Sequence, residues 1–375
     1  MKLLYVTSHH FKNLCDDCEI DFIAKSKKTT EDKEYELQEI ADGLFVFNTV
    51  AFVGKNASGK TSVLELLDCA YSILGDFSVE DKDYSYDDIY IELIFYHENS
   101  IYKYSTSLQS GKTLNNKAIF YNQKLFVKKY CKSKLNTILS DEDFKPYDIT
   151  GKLPEDTSIL FFVLGEKKTR SVFFNSTGEG VDTYRMLFNT LSQYDINVDI
   201  LTKVLRIFDN TIVSINQIDE HNYTLVSTND KKSVSDKELL SYLSSGTTKG
   251  MLLYIMIVAS LKNGFDLIID EIENHFHKTL VENIISLYKE KSVNRNNATL
   301  YFATHYLETL DLFNRQDNIW ICRLDNKITL NNMYSSFTVR PELLKSKQFY
   351  SDTFKTAVNY DDLMALKKEL LKWKF

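Results

Sequence analysis

The stretch Asn48–Leu67 reads NTVAFVGKNASGKTSVLELL, and the rest of the chain is arranged about it. Gly54, Gly59, Lys60 and Thr61 fit G-x-x-x-x-G-K-[ST], the pattern of a phosphate-binding loop. The flanks support the pattern. Thr49–Val53 is a short run of β-branched, apolar and aromatic residues, which predicts a buried strand. Val63, Leu66, Leu67 and Ala70 recur at helical spacing, so a helix follows the loop at once. Phosphate binding needs this succession of strand, glycine-rich turn and helix. Glycines let backbone N–H groups close on the oxygens, and the helix N-terminus adds partial positive charge. In that arrangement Lys60 reaches the outer phosphates and the Thr61 hydroxyl is a ligand for Mg²⁺.

Composition narrows the setting. With 375 residues the chain can bury a sizeable core. Its 45 basic and 52 acidic residues leave a formal net charge of −7, which argues against a globally basic nucleic-acid binder and leaves local basic patches open. The N-terminal MKLLYVTSHHFKNL has too short an apolar core for a secretory signal. The longest apolar run, Met251–Leu261, is about half the roughly 20 residues a bilayer span requires. Five cysteines, an odd number without a signal sequence, fit reduced thiols in the cytoplasm. Cys15-Asp16-Asp17-Cys18 has metal-like spacing without a second pair, so these read as incidental thiols on a turn.

Along the chain, Leu3–Val6 and Ile20–Ile23 read as short strands, and the charged Lys25–Leu37 as an exposed connection. The helix opened at Lys60 should end near Gly75. Ile89–His97, Ile101–Leu108 and Lys124–Lys128 alternate as an antiparallel β insertion. Its lysines, Lys124 to Lys134, read as a solvated face. Asp141–Thr157, with Pro146, Gly151 and Pro154, is the clearest internal break. Helices are expected over Val181–Leu191 and Val198–Phe208, then strands over Ile212–Ile218 and Tyr223–Val226. Residues 76–242 carry no chemical motif and read as an inserted β and mainly helical lobe between the halves of one head, 1–75 and 243–335. Residues 336–375 form a tail, with Leu363, Leu366, Leu370 and Trp373 on one helix face.

The remaining motifs come quickly after the lobe. Leu243–Thr247 precedes the apolar helix Lys249–Leu261. Phe265–Asp270 (FDLIID) reads as a central parallel strand ending in a carboxylate, and Thr299–Ala303 as another, ending at Thr304-His305. Ile319–Leu324 and Lys327–Leu330 predict a hairpin about Asp325-Asn326. A strand-terminal Asp beside the phosphate loop suits Mg²⁺, a hard cation held by carboxylate, water and phosphate, and Asp270 fits. Glu271 stands where a general base could deprotonate a water attacking the γ-phosphate, and His305 where it could sense that phosphate.

In these motifs the chain resembles the ABC-type ATPases outside the transporters, which include SMC-like proteins and standalone bacterial AAA-family defence ATPases. GKNASGKTS, formed by Gly54, Lys55, Asn56, Ala57, Ser58, Gly59, Lys60, Thr61 and Ser62, is similar to their Walker A loop. LSSGTTKG (Leu243–Gly250) is similar to their signature, LIIDEIENHFH (Leu267–His277) to Walker B, and FATH (Phe302–His305) to the H-loop. No aspartate-bearing D-loop follows Walker B; Glu273-Asn274-His275-Phe276-His277 instead resembles the E-x-x-L-H segment of standalone ATPases. A Q-loop is not assigned, Gln109 and Gln123 being the candidates. The absence of a long coiled coil argues against a true SMC protein, and that of a Toprim-like acidic cluster against an overcoming-lysogenisation nuclease.

The resemblance implies an α/β fold, a P-loop NTPase of ABC type with an antiparallel sheet. It implies an ATPase that dimerises about two ATPs, the signature of one subunit completing the Walker A site of the other. Ser245 and the Gly246 N–H would then meet a phosphate arriving from outside the subunit. The tail TAVNYDDLMALKK (Thr356–Lys368) looks like that of abortive-infection ATPases encoded beside an effector gene. The expected partners are a second copy, or more, and an effector, nuclease or toxin, docking on the lobe and terminal helix. DNA repair or recombination is the alternative, with nucleic acid as partner; no membrane is expected.

Overall fold

The computed structural model describes all residues except 17, 81–87, 111–116, 166–170, 175–188, 220, 242–244, 275, 339–342, 355–359 and 374–375. The chain opens with β1 (Lys2–His9) and β2 (Cys18–Asp21), then a small hairpin of β3 (Leu37–Ala41) and β4 (Leu44–Phe47). β5 (Thr49–Val53) leads through the glycine loop into α1 (Lys60–Gly75). Three long strands follow, β6 (Ile89–His97), β7 (Ser100–Gln109) and β8 (Ile119–Lys129), then the short β9 (Lys145–Pro146) and β10 (Ser171–Phe174). α2 (Val198–Phe208) precedes β11 (Ile212–Gln217), β12 (Asn222–Ser227) and β13 (Lys231–Ser235). Next come α3 (Ser245–Asn263), β14 (Asp266–Ile269), α4 (Lys278–Lys289) and β15 (Leu300–Thr304). The hairpin of β16 (Ile319–Leu324) and β17 (Ile328–Asn332) and, near the end, α5 (Tyr360–Leu370) complete the set used below.

Two six-stranded sheets carry the architecture. One has the order β10-β14-β15-β5-β16-β17 and is parallel except for its last strand. The other, β2-β1-β6-β7-β8-β9, is antiparallel throughout. The mixed α/β fold expected from the sequence is therefore the one observed. Alternation along β5 divides the core: Val50 and Phe52 face one apolar cluster, Ala51 and Val53 the other. The first cluster contains both sheets with α1 between them, joining Leu64, Leu67 and Ile73 to Ile91 and Phe95 on one side and to Phe52 and Tyr301 on the other. Contact on two sides explains why α1 is buried nearly all round. The second cluster packs α2, α3 and α4 on the opposite face of the parallel sheet.

Three expectations, on the Gly75 boundary, the lobe and the tail, need correction. The boundary at Gly75 does not separate two bodies, because β6 pairs with β1 in one sheet (Val6 opposite Leu93) and β10 lies beside β14 in the parallel sheet. Among the described residues, 76–242 also holds more strand than helix; the helix expected over Val181–Leu191 falls largely outside them. Nor is the tail wholly apart after 336, since Ser346 N–H donates to Asp311 at 3.0 Å and the Phe349 and Phe354 rings meet 4.3 Å apart in the core.

Lys25–Leu37 is largely exposed, as expected, but two of its acidic residues are not. Asp32 and Glu36 are buried, 5% and 0% exposed. The Arg315 guanidinium reaches Asp32 at 3.1 Å and Asp317 at 2.6 Å, and Lys289 reaches Glu36 at 2.6 Å. A buried carboxylate persists only when paired, and these partners lie over 250 positions away, so no local pattern could reveal them.

Candidate functional site

The phosphate loop leaves the carboxyl end of β5, between β15 and β16, at the edge of a parallel sheet where such folds bind ligands. Two glycines are there for space and conformation. A Cβ on Gly54 would stand 2.4 Å from the Cys322 carbonyl oxygen and from Ser58 Oγ. Gly59 has φ +92°, and its Cβ would meet Ile328 Cδ1 at 2.4 Å. The Lys60 side chain folds back, donating to the carbonyls of Gly54 at 3.1 Å and Lys55 at 3.2 Å. Burial lowers its pKa, with the Asp270, Glu271 and Glu273 carboxylates opposing that shift.

Asp270 follows β14 directly, and its Oδ2 accepts the Thr61 hydroxyl at 2.7 Å. Its Oδ1 is buried without a hydrogen-bond partner, and burial raises its pKa. Glu271 turns back in the left-handed region, φ +46°, and its Oε2 accepts from the Asn274 amide. Glu273 accepts the backbone N–H of His305 through Oε1, while its Oε2 is buried without a hydrogen-bond partner. His305 sits one residue past β15, and burial together with the Lys60 ammonium holds its imidazole below the usual range.

A cavity of about 490 Å³ opens on this constellation, lined by the backbone and side chains of Asn56–Ser62 and by Glu271, Asn274, His305 and Ile328. The structure thus brings the loop, Glu271 and His305 to one space, with Asp270 behind Thr61. Gly54 and Lys55 shape the loop from beneath without lining the cavity. Ser245 and Gly246 open α3 and are not among the described residues that line it. Gln123 is engaged elsewhere, accepting from Tyr104 OH at 2.7 Å and Ile159 N–H at 2.8 Å; Gln109 ends β7, exposed. Asn274 and Ile328 were missed by sequence reasoning: nothing in an isolated Asn or hairpin Ile marks a neighbour of the loop.

The donors fit a nucleotide with a divalent cation. A hydroxyl and a carboxylate, one of its oxygens buried and unpartnered, are the hard oxygen set Mg²⁺ takes. Ser58 Oγ, at the loop itself, is likewise buried without a partner. No group of three or more His, Cys, Asp or Glu side chains that could hold a metal by themselves occurs among the described residues. Cys15 and Cys18 are not joined in a disulfide.

A family model described as "AAA domain, putative AbiEii toxin, Type IV TA system" matches residues 50–311. The chain belongs to this AAA-domain family. The match runs from the phosphate loop through Asp270 and Glu271 to His305, so an ATPase-type nucleotide-binding domain occupies most of the chain. No curated protein matches it. Among solved structures it is similar to the SMC head domain from Thermotoga maritima, at 12% identity over 88% of this chain and 99% of that one, with a TM-score of 0.42. It is also similar to an SMC head bound to the C-winged helix domain of ScpA, at 10% identity over 89% and 98%, with a TM-score of 0.45. Among the described residues no helix is long and apolar enough to cross a membrane.

Proposed function

We propose that the chain is an ATP-hydrolysing switch, in which two copies close about ATP and the closed state controls a partner effector in anti-phage defence. One observation carries the ATPase part: Thr61 Oγ1 sits 2.7 Å from Asp270 Oδ2 while Oδ1 is left buried and unpartnered at the foot of a phosphate loop. When bound, Mg²⁺ supplies charge neutralisation and polarisation of the phosphate oxygens. Lys60 exchanges its two loop carbonyls for phosphate oxygens, a stronger charge-assisted bond. Glu271, held by Asn274, orients the water and takes its proton as the water oxygen bonds to the γ-phosphorus and the β–γ bridge breaks, giving ADP and phosphate. His305, kept neutral by its surroundings, contacts the γ-phosphate.

Ser245 and Gly246, at the N-terminus of the long helix α3, serve the ATP of the second copy. The family description, with its toxin–antitoxin vocabulary, supports the defence setting. The effector docks on the surface of 76–242, which nucleotide chemistry does not need. A DNA-repair role draws less support, because two lysines of the basic stretch are paired with carboxylates: Lys132 with Asp42 at 2.8 Å and Lys134 with Asp143 at 2.5 Å.

The test is Glu271→Gln. It should keep ATP binding, lose turnover by roughly 10²-fold or more, and double in mass by light scattering when ATP is added. Wild-type turnover removes Glu271 from the mechanism, and an unchanged mass removes the ATP-closed pair. Pull-down of the neighbouring gene product tests the effector; tight DNA binding at physiological salt with no such partner would move the reading to repair.

A further inference from the structure

Cys15 and Cys18 stand three positions apart, and the Cys18 N–H donates to the Cys15 carbonyl at 3.0 Å. A turn closed by such a bond holds its end Cα atoms within about 7 Å, and a disulfide needs no more than that. Both side chains meet the same apolar cluster. Cys18 lies within it, 1% exposed, and Cys15 packs half-buried against it. Burial pushes the Cys18 thiol up, and the nearby Cys15 and Cys322 sulfurs add to that shift. The two thiols are thus neighbours, one within reach of solvent and one shut in.

This turn is fastened to the nucleotide site. The Cys15 N–H donates to the Ile328 carbonyl at 2.9 Å, and the Ile328 N–H to the Asn13 carbonyl at 2.8 Å. Beside them Lys327 reaches Asp16 at 2.9 Å. Ile328 in turn lines the cavity at the phosphate loop and crowds Gly59, leaving no room there for a Cβ. Cys18 is held on its other side, in β2, where it stands opposite Ser8 of β1. If the two sulfurs close to the roughly 2 Å of a disulfide, Cys15 is the end that moves, because Cys18 is locked in a sheet. That movement pulls on Ile328, and through it on the glycine turn.

We propose that Cys15 and Cys18 form an oxidation-sensitive pair, whose disulfide shifts Ile328 and weakens nucleotide binding at the phosphate loop. The oxidant class is a hydroperoxide. The half-buried Cys15, as thiolate, attacks a peroxide oxygen, and the O–O bond breaks to give a sulfenic acid and, with the proton Cys15 released, water. The Cys18 sulfur then attacks the Cys15 sulfur and expels hydroxide, which leaves as water with the Cys18 proton. Two thiols are oxidised to one disulfide as one peroxide is reduced to two waters, and a dithiol reductant reverses the change. Burial keeps the Cys18 sulfur protonated, so the second step is the slow one. The effect on binding rests on the ATP reading above; the disulfide and the displacement do not.

Peptide mapping, amide exchange and nucleotide binding test it, on the full chain carrying Cys131→Ser, which removes the one exposed thiol among the described residues. Hydrogen peroxide should produce a bridge that maps to Cys15 and Cys18, and dithiothreitol should remove it. Oxidation should quicken amide exchange across 54–62 and 326–330. It should also weaken binding of a fluorescent ATP analogue by roughly tenfold or more, since a displacement near 1 Å spoils the fit to phosphate. Cys15→Ser should bind as the reduced parent does and show neither response to peroxide, and Cys18→Ala should give the same answer through the other sulfur. No bridge, or one joining Cys18 to Cys322, overturns the proposal. So does a Cys15–Cys18 bridge that leaves exchange or binding unchanged. Reduced protein that binds no ATP sinks the ATP reading alone, and the exchange measurement then decides for the cysteine pair.

Discussion

The Glu273 carboxylate accepts the backbone N–H of His305, tying the turn after β14 to the end of β15 across 32 positions of sequence. This bond fixes where the imidazole stands above the loop, and it costs the protein a second carboxylate oxygen buried without a partner. Glu273→Ala should lower turnover by roughly tenfold or more, through misplacement of His305, while ATP affinity changes little. Glu273→Gln retains an acceptor for the N–H and should recover most of the loss. If His305→Ala and Glu273→Ala prove fully additive in turnover, the two residues do not act together.

Lys60→Ala should weaken ATP binding by roughly tenfold or more, because it removes the charge-assisted donor facing the phosphates. It should not unfold the loop, whose two carbonyls can take water instead. Titration with a fluorescent ATP analogue reads this, and an unchanged affinity would make the loop decorative.

Asp270 gives a prediction in which stability and function part. Burial raises its pKa, so the folded state binds this proton more tightly than the unfolded chain. Its ionised form therefore costs stability above the raised pKa, and the cost vanishes as pH falls toward about 4, the value of an unfolded Asp. Asp270→Asn, which still accepts from Thr61, should raise the nucleotide-free melting temperature at pH 7.5 by about 1–3 °C, with the gap closing on acidification. Adding Mg²⁺ and ATP should reverse the order, since only the wild type gains ligand stabilisation. A variant that melts lower than wild type at pH 7.5 without ligand contradicts the account.

The two loop glycines should differ in how they can be rescued. Gly59→Ala adds a strained φ and a clash with the Ile328 side chain, whose Cδ1, Cγ1 and Cγ2 would stand 2.4, 2.6 and 2.7 Å from the new Cβ, so a cost of about 1–3 kcal/mol should fall when Ile328→Ala is added. Gly54→Ala drives Cβ into the Cys322 backbone carbonyl, and no side-chain change at position 322 should relieve it. Denaturant melts of the four variants decide.

Much of the site was legible because its chemistry is local. The phosphate loop, the Asp270-Glu271 pair and His305 each announce themselves within a few residues of a buried strand, and β16 and α2 have the bounds their patterns predict. What escaped depends on partners distant in sequence. Asp32 and Glu36 read as surface because Arg315 and Lys289 neutralise them from the other end of the chain. The β6–β8 hairpins read as a separate insertion because pairing with β1 leaves no mark on either strand's own pattern. Glu273 was visible as part of a motif, but its bond to a backbone N–H is a property of two strand ends meeting.

The position of α1, clamped between the two sheets, has a mechanical consequence. Its first turn holds Lys60 and Thr61, while further along the Tyr71 hydroxyl donates to Asp266 at 2.6 Å and lies 3.0 Å from that of Tyr301. A close-packed interior transmits displacement and does not absorb it. Any shift of the first turn as phosphate binds is therefore passed along the helix axis to Tyr71, and through its bonds into β14 and β15 of the parallel sheet. Helix and parallel sheet are thus fastened together at both ends, by Thr61 on Asp270 beside the loop and by Tyr71 on Asp266 at the far end, so the strands that carry Asp270 and His305 move with the turn that holds Lys60.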